Sequence, residues 1–120
     1  MNEIRYESYL EPRYDSRASF YKKAVVEIVE TTEYSMRTLF SYGTRVAEYV
    51  SFYGGKRIYK WLGTWSQTTS RHQKEFFRQY GVKESDMKEL REKGELVYES
   101  WGSKDGQTIW DIYGISWQFI

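Results

Sequence analysis

The hydrophobic period of this chain changes from 2 to 3.6 at Ser66, and that change does most to restrict what it can fold into. Ala24, Val26 and Ile28 alternate with Val25, Glu27 and Val29, and Tyr34, Met36, Thr38 and Phe40 alternate with Ser35, Arg37, Leu39 and Ser41. Gly43 marks a turn, after which Val46, Glu48, Val50 and Phe52 alternate with Arg45, Ala47, Tyr49 and Ser51. Tyr53-Gly54-Gly55-Lys56 is a hairpin connection leading into a fourth strand over 57–62. Four short strands joined by tight turns predict an antiparallel meander.

Beyond Ser66 the spacing is helical. Thr69, His72, Phe76 and Tyr80, flanked by Gln73 and Phe77, make one stripe, while Arg71, Lys74, Glu75 and Arg78 make the other. Ser66, Thr68 or Thr69 can cap the start and Gly81 can end it. Ser85-Asp86 is a second cap signal, opening a short helix through Met87 and Leu90 to Gly94. Strands are then expected over 96–101 and 108–113, and Ile115, Trp117 and Phe119 alternate with Ser116 and Gln118 to the end. Residues 1–20 hold the only proline, Pro12, and keep no sustained period, so they read as an arm or a loosely docked extension, parts of which Tyr6, Tyr9, Tyr14 and Phe20 could pin to the body. The predicted fold is α+β: an antiparallel sheet with one main amphipathic helix on a face, a short second helix and C-terminal strands, all in a single domain.

Composition restricts function mainly by exclusion. Without Cys there are no disulfides, thiolate metal sites or cysteine nucleophiles. The N-terminus has no apolar signal-peptide core and no run is long enough to span a membrane, which predicts a soluble, intracellular chain. Twelve Tyr, six Phe and five Trp are more rings than a domain of 120 residues can bury, so some are expected on a binding face. The net charge of +1 fits neither a bulk polycation nor an acidic mimic of nucleic acid. Charge is unevenly placed: Lys56, Arg57, Lys60, Arg71, Lys74 and Arg78 stand against Glu75 alone in residues 51–82, and the tail is mildly acidic.

The search for chemistry yields one candidate surface. His72 is the only histidine and has no helical-spacing partners for a metal or a proton relay, so it reads as a packing residue. The carboxylate groups Glu27/Glu30, Glu84/Asp86/Glu89 and Glu92/Glu95 lie beside Lys and Arg in the manner of solvated faces. Gly54-Gly55-Lys56 lacks the spacing of a phosphate loop. No enzyme, cofactor or metal is therefore predicted. Arg71, Lys74 and Arg78 share a helix face, which Arg57 and Lys60, interleaved with Tyr59 and Trp61, are expected to extend. Trp101 and Trp110 complete the candidate aromatic surface. The Ser66 to Arg71 turn would also offer free N–H groups to a phosphate.

Three phrases in this order and spacing resemble a domain of small, largely uncharacterised proteins of phages and prophages of Gram-positive bacteria. They are Tyr-Asp-Ser-Arg-Ala-Ser-Phe-Tyr-Lys-Lys-Ala at 14–24, Ser-Tyr-Gly-Thr-Arg-Val-Ala at 41–47, and Trp-Ser-Gln-Thr-Thr-Ser-Arg-His-Gln-Lys-Glu-Phe at 65–76. The resemblance covers residues 14–81, giving a family-like body at 21–81 between the arm at 1–20 and a C-terminal extension at 82–120. Each phrase falls where turn or cap chemistry shapes the fold, and none is a catalytic signature. Proteins of this kind commonly bind a host or defence protein, anti-CRISPR inhibitors of Cas nucleases being one class. The resemblance therefore implies a non-enzymatic counter-defence inhibitor in the bacterial cytoplasm that binds a nuclease such as a Cas effector. The alternative is a nucleic-acid-binding accessory or regulatory protein that uses the basic helix face.

Overall fold

In the computed structural model, which describes residues 3–99, six strands form one open sheet. They are β1 (Ile4–Tyr9), β2 (Ala24–Glu30), β3 (Tyr34–Ser41), β4 (Thr44–Phe52), β5 (Arg57–Trp61) and β6 (Glu95–Tyr98), each antiparallel to its neighbour in chain order. Between β5 and β6 run α1 (Gln67–Gln79), a 3-10 turn (Glu84–Asp86) and α2 (Met87–Lys93). The α+β meander with one main and one short helix is what forms. The strands expected at 108–113 and 115–119 lie outside the described residues.

Local chemistry explains the connections. Tyr42 and Gly43 join β3 to β4 with φ of 52° and 83°, the positive pair that a two-residue hairpin turn needs to match the twist of its strands. One face of the sheet carries the core. Across it, Val26, Leu39, Ala47 and Trp61 lie in register on β2 to β5, as do Ile28, Arg37, Tyr49, Tyr59 and Leu96 one row along. Phe76 and Phe77 of α1 press on these rows, with Phe77 stacked on Trp61 at 5.4 Å between ring centroids, and Met87 and Leu90 of α2 join the same cluster. Full burial of each such side chain contributes about 1.5–3 kcal/mol, so the helix is held by its apolar stripe more than by its own propensity.

The opposite face carries Val29, Met36, Val50, Ile58 and Val97 in one row from β2 to β6. Both helices pack on the other side. The N-terminal segment is not the expected arm: residues 4–9 are an edge strand, and Leu10 and Phe20 are buried in the core.

Candidate binding groove

The site is built on α1. Ser66 caps it in extended backbone, its Oγ accepting from the Thr69 N–H at 3.1 Å. On the inward stripe, Gln73 Nε2 donates to the carbonyls of Val46 at 2.9 Å and Gly63 at 3.0 Å, fixing the chain that enters the helix. The outward stripe carries Arg71, Lys74 and Arg78, as the spacing predicts.

Glu75 departs from that stripe. It is buried, and its carboxylate accepts the backbone N–H groups of Arg13 and Tyr14 at 2.9 Å each and of Asp15 at 2.8 Å. Gln79 Nε2 donates both to Glu75 at 2.5 Å and to the carbonyl of Glu11 at 2.7 Å. Glu75, helped by Gln79, thus straps residues 11–15 along the helix. Asp15, held in this strap, accepts from Arg71 Nη1 at 3.0 Å. Arg78 lies against the Tyr14 ring, 4.7 Å from its centroid, and pairs with Glu84.

The strap turns a helix face into one wall of a groove of about 570 Å³. Tyr14 and Asp15 form one side, Thr64 to Gln67 close the end at the helix start, and Glu84 and Arg91 stand at the other end. Arg71, Lys74, Arg78 and Arg91 all line it. Arg71 and Arg78 are partly neutralised by Asp15 and Glu84, whereas Lys74 and Arg91 make no ion pair among the described residues. Trp65, 46% exposed, offers its ring beside these cations. Cations on a concave wall, an exposed ring and a helix start suit an anionic partner with flat or apolar parts.

The predicted surface is therefore only half assembled. Arg71, Lys74 and Arg78 come together, but Arg57 and Lys60 do not join them. Three residues apart on β5, those two point to opposite faces of the sheet: Arg57 stacks on Tyr98 at 4.9 Å on the helix side, and Lys60 sits between Glu48 and Glu95 on the other. Tyr59 and Trp61 are core residues and present no ring to a partner. Burial pushes the Tyr59 hydroxyl well above the usual phenol range, with the nearby Arg57 charge opposing it. Trp101 and Trp110 lie outside the described residues. Sequence reasoning missed Trp65, Tyr14, Asp15, Glu75 and Arg91; a tryptophan directly before a cap serine was the one available signal.

His72 has the packing role expected of it. It is 1% exposed, tilted against Phe20 at 4.5 Å, with its Nδ1 at 2.8 Å from Ser41 Oγ. Burial holds its pKa below the ordinary value, opposed by the Asp15 charge and assisted by Arg17. Ser41, 2% exposed, also bonds Thr69 Oγ1 at 3.0 Å, so the hydroxyl ties strand to helix and is not presented as a nucleophile. Among the described residues no cluster of His, Asp and Glu has the makings of a metal site, and no helix is long and apolar enough to cross a membrane.

The profile of a family described as a family of unknown function (DUF8033) matches residues 9–92, and the chain belongs to that family. The match takes in the strap, the groove, α1 and α2 up to residue 92. No curated protein and no solved structure is detectably similar to the chain.

Proposed function

We propose that this member of a family without an assigned activity works by binding, without catalysis, and that the groove beside α1 is its working surface. The observation that carries this reading is the convergence of Arg71, Lys74, Arg78 and Arg91 with the exposed Trp65 on one concavity. Such a surface favours a partner whose contact face is anionic. Combined with the resemblance to phage proteins, it supports a counter-defence inhibitor that engages a host nuclease such as a Cas effector in the bacterial cytoplasm. The contact would be made through an acidic patch of that nuclease.

A second reading has its own observation. The exposed Trp65 lines the same groove as Ser66 and Gln67 at the start of α1, and a stacking ring near a helix start that can take a phosphate suits single-stranded nucleic acid. The two readings separate in a salt titration. If fluorescence anisotropy with a labelled oligonucleotide detects binding, log affinity should fall with log salt by about 0.7 per phosphate neutralised, and K74E should lower that slope. Inhibition of a nuclease with no oligonucleotide binding would support the protein partner. Neither inhibition nor oligonucleotide binding, in a folded protein, would sink both.

A further inference from the structure

β1 has the sequence Ile-Arg-Tyr-Glu-Ser-Tyr, and every one of its residues is exposed. Among the described residues β1 forms one edge of the sheet, pairing only with β2. An open edge with uncovered Ile4, Tyr6 and Tyr9 is a template for another strand unless something occupies it.

The orientation of that edge follows from one hydrogen bond. Leu10 N–H donates to the Ala24 carbonyl at 2.9 Å. Because paired residues in an antiparallel ladder alternate, Ile4, Tyr6 and Ser8 turn their backbone groups towards β2. Arg5, Glu7 and Tyr9 therefore carry theirs to the free edge.

We propose that this edge is a homodimer interface, in which β1 of two copies pairs antiparallel about a two-fold axis through Tyr6. In that register Arg5 of each copy lies opposite Glu7 of the other, so the same oppositely charged pair forms twice. Tyr6 meets Tyr6 in the closely spaced, non-hydrogen-bonded position at the centre. The two neighbouring registers that also match free-edge backbone groups set Glu7 against Glu7 or Arg5 against Arg5. Charge thus selects one alignment among the three.

The monomer also shows a charge that this register answers. Within the sheet Glu7 lies directly opposite Glu27, a like-charge pair, and neither forms an ion pair among the described residues. Arg5 of the second copy would arrive beside them. Arg5 uses Nε for Glu3, just before the strand, which leaves its Nη groups to reach a second carboxylate. The pairing would join two six-stranded sheets through one antiparallel ladder, leaving both α1 grooves open.

Size-exclusion chromatography with light scattering on the full chain tests this. The wild type should show a monomer–dimer equilibrium that shifts with protein concentration. R5E and E7R should each be monomeric where the wild type is dimeric, and both should keep the wild-type circular dichroism because the side chains are exposed. Mixing equal amounts of R5E and E7R should restore a dimer, since each strand's like charges then meet opposite charges on the other. A wild type that stays monomeric at every accessible concentration would overturn the proposal. So would a dimer indifferent to both substitutions, or a mixture that remains monomeric.

Discussion

Glu75 holds the candidate site together by accepting three backbone N–H groups on one carboxylate. Replacing it with Gln keeps the shape but removes the charge and half of the acceptor capacity. E75Q should therefore lose about 2–3 kcal/mol of stability in urea denaturation, whereas K74Q, one residue away on the exposed face, should stay within about 0.5 kcal/mol of wild type. Glu75 was illegible in the sequence because stripe arithmetic groups it with Arg71, Lys74 and Arg78, and its partners are backbone groups some 60 residues earlier. His72 was legible as a packing residue: one imidazole between apolar rings has little else to do. Its pKa is lowered by burial, so the unfolded chain takes up a proton that the folded chain resists. That contribution is fully present above the ordinary histidine pKa of about 6.5 and is lost as pH falls through the folded value. Unfolding free energy should thus drop on going from pH 7.5 to pH 5.5 more steeply in the wild type than in H72N; equal slopes would remove His72 as the cause.

α1 is the element that a reader of the sequence could place most firmly, because cap, stripe and stop agree. Of the three cap candidates Ser66, Thr68 and Thr69, the cap is Ser66, and S66A should cost about 1 kcal/mol in thermal or urea unfolding, with S66D recovering much of it. β1 shows the opposite case. An edge strand exposed on both faces has no apolar alternation to read, so residues 4–9 looked like an arm although each of them pairs with a residue of β2. The tip of α2 is pinned in a way that periodicity could not reveal. Tyr98 OH donates to Asp86 at 2.6 Å, and burial together with this bond pushes its pKa up to about 12. For β5 the needed rule was already available: period 2 separates Arg57 from Lys60 and buries Tyr59 with Trp61, yet the charge run suggested one continuous surface.

At the scale of the whole molecule, an α+β meander follows from the change of period, and the groove does not. The groove exists because a segment with no pattern of its own is strapped across a helix by one buried carboxylate, a long-range arrangement without a local signature. The sheet keeps one face for the helices and leaves the row of Val29, Met36, Val50, Ile58 and Val97 on the other. The two groove cations without ion pairs, Lys74 and Arg91, are exposed, and the one contact Arg91 adds to the fold is over the Trp61 ring at 5.6 Å, so K74E/R91E should keep the wild-type fold with a small loss of stability and yet lose the anionic partner. The decisive measurement is target cleavage by a panel of purified Cas effectors with wild-type protein or K74E/R91E, each reaction then passed over a sizing column. Wild-type protein should slow cleavage and co-elute with the nuclease or its nucleic acid, and K74E/R91E should do neither. Inhibition that survives K74E/R91E, or undiminished cleavage with the wild type eluting alone, would contradict a working surface at the α1 groove.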